Sequence, residues 1–151
     1  YLIVDMRPGT GDIQLTLSQK APVAGAVIVT TPQDIALLDA MKGVEMFGKV
    51  DIPVLGILEN MSVHHCENCN HISYPFGAGG GSKISGELGV PLLGQLPLSM
   101  HIRQHADGGI PTVRAAPESA ASELYRDAAR HLAARLWTRD QAAPTIRMVD
   151  D

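Results

Sequence analysis

Residues 24–60 read AGAVIVTTPQDIALLDAMKGVEMFGKVDIPVLGILEN, and three successive patterns within them decide the fold class. The first, GAVIVTT, from Gly25 to Thr31, is a short continuous apolar run. Continuous rather than alternating apolarity is the mark of a strand buried on both faces. In the second, Thr31 stands as a helix N-cap, Pro32 takes the first helical position and Asp34 lies three residues after the cap, together a helix start signature. Leu37, Met41 and Val44 then fall at i, i+4 and i+7, one core-facing stripe. The third, IPVLGILEN, is another apolar strand. Strand, helix, strand in this order predicts a right-handed βαβ unit with parallel strands.

The same alternation continues outward. YLIVD, residues 1–5, reads as a further buried strand, followed by the Pro/Gly loop MRPGTGD and a helix over IQLTLSQK with Asp12 placed to cap it. Downstream, a glycine-rich insertion runs from Met61 to about Gly81. Then come a short helix at SKISGELG, a strand at PLLGQLPL, and a helix at MHIRQHADGG ended by its glycines. A last helix spans Pro117 to Trp137, with Leu124, Ala128, Leu132 and Leu136 every four residues. Met41, Met46 and Met100 are expected to fill the core. The fold class expected is α/β, a parallel sheet with flanking helices over residues 1–137, and residues 138–151 are expected to form a disordered tail. In such sheets ligands sit beyond the carboxyl ends of the strands. The loops after Val4, Val29 and Leu58 are therefore the places to look.

Composition excludes several functions. Twelve Lys and Arg against sixteen Asp and Glu leave a formal charge of −4, so no basic field draws in nucleic acid or an anionic membrane. No apolar run reaches the roughly 20 residues of a membrane span, and no signal peptide is visible, which predicts a cytoplasmic setting. The chain opens already inside an apolar run and without Met, so it is expected to be a piece of a longer protein.

Two loops carry chemistry. In DMRPGTGD, residues 5–12, Asp5 ends a strand and points a carboxylate at the ligand crevice, where it suits a water of hydrated Mg²⁺. The glycines after it let backbone N–H groups approach a terminal phosphate. In HHCENCNH, residues 64–71, Cys66 and Cys69 are the only cysteines of the chain. Two cysteines cannot make a disulfide scaffold, and C-x-x-C points to metal or redox chemistry. A thioredoxin-type pair would open a helix directly after a strand, whereas Cys66 lies in polar loop. Two thiolates are half a ligand set. His64, His65 or His71 could complete a local Cys₂His₂ zinc site. A second copy could instead bring two more thiolates across a two-fold axis, the Cys₄ set of a [4Fe–4S] cluster or a structural zinc. Bare thiols are the third reading. His64 and His65 otherwise read as polar loop residues. His101, His105 and His131 lie on helices with no acidic partner at ligand spacing and read as surface residues.

YLIVDMRPGTGDIQLTL resembles the switch II segment of the Mrp/ApbC family of iron–sulfur carrier proteins. These are deviant-Walker P-loop ATPases, like the MinD, ParA and nitrogenase iron-protein types. ILENMS followed by C-x-x-C, then FGAGGG, then LGQLPLSMHIRQHADGGIP continue the family pattern in order, so the resemblance covers residues 1 to about 137. It implies that Asp5 is the Walker B aspartate supporting Mg²⁺ and that Gly9, Thr10 and Gly11 form the loop that senses the γ-phosphate. It implies that Asn60 reads the adenine edge, that Pro97 and Leu98 flank the adenine, and that Cys66 and Cys69 hold an iron–sulfur cluster bridging two subunits. Arg7 stands where the family usually has proline, either to clamp a phosphate or to loosen the loop. The chain contains no G-x-x-x-x-G-K-[ST], the motif whose lysine neutralises phosphate charge. GAGGGSK, residues 77–83, lacks the G-K-[ST] order and follows the cysteine loop rather than a strand. In the family the P-loop precedes the Walker B segment.

The resemblance implies an ATP-dependent iron–sulfur carrier whose whole protein binds Mg·ATP, dimerises through the cysteine loop and delivers a [4Fe–4S] cluster to apo-proteins. This chain alone is expected to be inactive as an ATPase for want of the P-loop. Two alternatives stay open: a ParA/MinD-like positioning ATPase, and a non-catalytic scaffold bridged by zinc. The soft ligands, and a final helix without a basic amphipathic anchor, speak against the positioning ATPase.

Overall fold

A computed structural model of the chain describes residues 1–6, 16 and 20–138. Its elements follow in chain order as β1 (Ala26–Thr30), α1 (Asp34–Lys49), β2 (Val54–Glu59), β3 (His64–His65), β4 (Ile72–Ser73), α2 (Gly80–Leu88), β5 (Leu92–Gln95), α3 (Met100–Asp107), α4 (Thr112–Ala115) and α5 (Ala120–Trp137). β1, β2 and β5 form a parallel sheet with β2 in the middle. Thr30 stands opposite Glu59, and Glu59 opposite Gln95, so the three carboxyl ends lie level. β3 and β4 form a separate antiparallel hairpin, with His64 opposite Ser73 and His65 opposite Ile72.

Helices cover both faces of the sheet. Ile28 and Ile57 pack with Leu37 and Ala40 of α1 and Ile84 of α2, and Met41, Val44 and Phe47 close the cluster's rim. Each fully buried aliphatic side chain of this kind contributes about 1.5–3 kcal/mol. Leu58 lies between Ile57 and Glu59, so the pleat turns it to the opposite face. There it shares Gly94's surroundings with Ala128 of α5. Among the described residues no helix is long and apolar enough to cross a membrane.

Four expectations are corrected. Tyr1 to Val4 do not form a buried strand: they have no regular structure and are 100% to 54% exposed. Val29 of β1 is likewise 60% exposed. An apolar run states only that a strand needs covered faces, and the described residues put no strand beyond β1. The first helix turn begins at Asp34 with Gln33 as N-cap, which makes no side-chain capping bond. The Thr31 hydroxyl turns to Gln33 Oε1 at 3.3 Å instead of accepting an amide. On α5, Leu124 is 40% exposed while Ser122 and Ala128 are buried. Four-residue steps drift by about 40° each at 3.6 residues per turn, so a strict i+4 series leaves the buried face. Met100 is 63% exposed and is not core filler. The helix expected over residues 13–20 lies outside the described residues except for Thr16 and Lys20, both helical. The tail at 139–151 lies outside them too.

No local pattern in the sequence marks α4. It is held by Ser122, whose fully buried hydroxyl sits 2.6 Å from Ala116 O and 3.1 Å from Thr112 O and accepts from Ser119 Oγ.

Candidate metal centre and the strand-end loops

The site is built where β2 ends. Asn60 continues the ladder, its N–H donating to Thr30 O at 2.7 Å, and its Oδ1 accepts from Met61 N–H at 3.0 Å. Met61 then takes a left-handed φ of 56°, a sharp turn for a side-chain-bearing residue. Ser62 is buried, donating from both its N–H and its hydroxyl to Leu96 O. Leu98 N–H donates to Val63 O at 2.8 Å. Residues 60–64 thus run beside 96–98. This brings Asn60, Pro97 and Leu98 together at the ends of adjacent parallel strands, although they are far apart in sequence. Asp5 lies exposed in the irregular opening segment. Gly9, Thr10 and Gly11, and Arg7 with them, lie outside the described residues.

From this base the β3–β4 hairpin lifts the cysteines to the surface. Cys66 N–H donates to His71 O at 3.0 Å and Asn70 N–H to Cys66 O at 2.8 Å. Asn70 has a left-handed φ of 55°, which closes the turn. Inside it, the backbone N–H of Asn68, then that of Cys69, then the Cys69 thiol hydrogen-bond to Cys66 and hold its pKa below the ordinary thiol value. Two amides aimed at one sulfur stabilise a thiolate before any metal arrives. They are also the outer support that a metal-bound sulfur uses. Cys66 is half-buried and Cys69 exposed. A lowered pKa means that more thiolate is present at a given pH. Alkylation of Cys66 by iodoacetamide in the metal-free protein is therefore expected to reach half its maximal rate at a lower pH than in the urea-unfolded chain. Peptide mass mapping of the modified cysteine measures both midpoints, and coincident midpoints would contradict the preorganised turn.

The histidines do not join the sulfurs. His64 Nδ1 lies 3.4 Å from Ser73 Oγ, and His65 and His71 are exposed. Among the described residues no group of three or more His, Cys, Asp or Glu side chains converges as a metal-holding set. Among the described residues of one chain the ligand set stays at two thiols. His101, read from sequence as a surface residue with no acidic partner at ligand spacing, is exposed, and its Nε2 lies 3.2 Å from Oε1 of Glu67, the residue that follows Cys66, while its ring stacks on that of His105. This contact ties α3 to the tip of the hairpin. No local sequence signal points to it.

Sequence reasoning also missed Glu59. The last residue of β2 is a carboxylate with 0% exposure. It accepts from Gly81 N–H in the first turn of α2 and, at 2.7 Å, from Gln95 Nε2 of β5. This explains GAGGG. Gly77 and Gly79 take left-handed φ values of 92° and 73°. A Cβ at Gly80 or Gly81 would lie within 3.0 Å of Pro32, Leu37 or Glu59. The stretch is a packing joint whose helix N-terminus already holds an internal anion, not a cradle for phosphate.

The chain is similar to known proteins over most of its length. A family model described as NUBPL iron-transfer P-loop NTPase matches residues 1–133. An iron–sulfur cluster carrier protein of Pseudomonas fragi is 62% identical over 129 residues, covering 85% of this chain and 45% of the relative. That of Escherichia coli K12 is 55% identical over 144 residues, 95% of this chain and 39% of the relative. The mouse iron–sulfur cluster transfer protein NUBPL is 51% identical over 144 residues, 95% of this chain and 44% of the relative. The chain thus spans 39% to 45% of the length of these relatives. Among solved structures, a nucleotide-binding protein of Archaeoglobus fulgidus in complex with ADP aligns with a TM-score of 0.58 at 35% identity, over 67% of this chain and 42% of that one. The cell division ATPase MinD of Pyrococcus furiosus aligns with a TM-score of 0.58 at 24% identity over 74% of this chain and 43% of its own, a likeness of fold alone.

Proposed function

The chain belongs to the family of NUBPL iron-transfer P-loop NTPases, and on that premise we propose that it forms the cysteine-bearing, C-terminal part of an ATP-dependent iron–sulfur cluster carrier. Residues 1–137 make up that part of the P-loop NTPase domain, and the loop at 61–81 carries the cluster. Cys66 and Cys69 of two copies hold one [4Fe–4S] cluster as cargo across a two-fold axis. The observation that carries this reading is the hairpin: two sulfurs per chain in one tight turn, Cys66 half-buried and Cys69 exposed, with no third ligand converging among the described residues.

The exposed position suits release. Thiols of an apo iron–sulfur protein approach the cluster, lose their protons and displace Cys66 and Cys69 one by one, while the departing thiolates take protons up. The amides that favour the Cys66 thiolate make its sulfur a better leaving ligand. In the whole protein ATP with Mg²⁺ lies at the carboxyl ends of the strands. Asn60, Pro97 and Leu98 receive the adenine, Asp5 supports the metal, and Gly9, Thr10 and Gly11 sense the γ-phosphate and pass its state to the dimer. The ADP held by the Archaeoglobus neighbour supports a nucleotide at these loops. The setting is cytoplasmic.

Isolation of the full-length protein without oxygen tests this. The expected product is a brown dimer with about four irons and four sulfides per two chains, the content of one [4Fe–4S] cluster. A colourless dimer with stoichiometric zinc and no sulfide would replace the carrier with a zinc-bridged scaffold.

A further inference from the structure

Glu59 is the wholly buried carboxylate at the end of β2, one residue before Asn60. Taking a carboxylate out of water is costly unless hydrogen bonds and opposite charge replace its hydration. Here the replacement comes from two directions. The N–H of Gly81 and the positive end of the nine-residue helix α2 face Oε2, and Gln95 Nε2 faces Oε1. One side chain therefore ties β2, β5 and α2. The fit admits no slack: a Cβ at Gly81 would lie 2.9 Å from both the Cβ and Oε2 of Glu59. An apolar side chain of similar volume would fill the space at less desolvation cost. It would not fix two donors from separate elements in one geometry.

The arm that Glu59 grips is the outgoing arm of the cysteine hairpin. β4 ends at Ser73, and residues 74–79 lead directly into Gly80 and Gly81. The incoming arm leaves from Asn60. Both arms of the hairpin are thus anchored at adjacent residues, Glu59 and Asn60, where β2 ends. We propose that Glu59 is a positioning residue: its carboxylate locks the outgoing arm to the strand end that carries Asn60, and so sets where Cys66 and Cys69 stand relative to that end. The link to metal rests on the carrier reading, while the joint itself does not.

The test uses the full-length protein with cobalt(II) as the probe of the thiolate pair. Hydrogen exchange is followed in peptides covering 76–84, 64–73 and 120–137. Glu59→Gln leaves one acceptor for two donors. It is expected to speed exchange over 76–84 and 64–73 by about tenfold, the ratio for one lost buried hydrogen bond, and to leave α5 at 120–137 unchanged. Cobalt loss to a chelator should quicken by a similar factor. Adding Gln95→Glu to Glu59→Gln should reverse both changes, because the new amide at 59 accepts from Gly81 N–H and donates to the new carboxylate at 95. A uniform rise of exchange over all three peptides, an unchanged cobalt off-rate, or failure of the double variant to recover would each overturn the proposal. If Glu59→Gln does not fold, Gln95→Ala removes a single donor from an exposed residue, and unchanged exchange over 76–84 would then be the overturning result. If the wild-type protein takes up no cobalt, the carrier reading fails, and exchange over 64–73 still decides whether Glu59 positions the hairpin.

Discussion

Cys66→Ser and Cys69→Ser are each expected to strip iron and sulfide from the full-length protein and to shift its solution mass toward the monomer. A serine hydroxyl stays protonated at neutral pH and is a hard donor, whereas cluster iron takes soft thiolate. Across a two-fold axis each substitution removes two of four ligands at once, since both copies carry it. The loss of affinity should exceed about a hundredfold, beyond the 10–100-fold typical of removing a supporting contact. His64→Ala, His65→Ala and His71→Ala should keep metal and dimer, because none of these rings converges on the sulfurs. Metal analysis and light scattering on anaerobic samples read both quantities. A histidine variant that loses its metal while a cysteine variant stays dimeric would make the site local to one chain.

The same substitution at two glycines of α2 is expected to act with opposite signs. A Cβ at Gly80 would meet Pro32 O and Leu37 Cδ1 at 2.8 Å and Pro32 Cα at 3.0 Å. Two of these are backbone atoms of the β1–α1 turn and cannot rotate away. Relief must come from moving α2 off the sheet, which also stretches the Glu59 bond to Gly81. Overpacking of this kind costs about 1–3 kcal/mol, and about 2 kcal/mol would lower the melting temperature of a domain this size by roughly 4–8 °C. Gly86, six residues on, has nothing within 4 Å of its Cβ position and no left-handed φ. Gly86→Ala there should raise stability by about 0.5–1 kcal/mol through helix propensity alone. Paired thermal melts decide it. Equal shifts of one sign would mean that helix propensity, not the contact with Pro32, governs α2.

What the sequence determined by itself is whatever is written in short-range period and residue type. The Leu37, Met41 and Val44 stripe, the apolar runs around Ile28 and Ile57, and glycine at helix ends specify strand–helix alternation, because backbone geometry repeats every two or 3.6 residues. The Cys66–Cys69 spacing specifies a two-thiolate turn for the same local reason. Tertiary structure alone decided the rest. It placed Asn60 beside Pro97 and Leu98 and His101 over Glu67. It left Tyr1 to Val4 and Val29 exposed, where composition called for burial. Above all it turned Glu59, one polar letter ending an apolar strand, into the bolt between β2, β5 and α2. Such pairings join residues distant along the chain, and which of them form depends on how elements stack and which faces are covered. No local period encodes that choice, since a carboxylate ending a strand looks alike in sequence whether it meets water or a helix N-terminus.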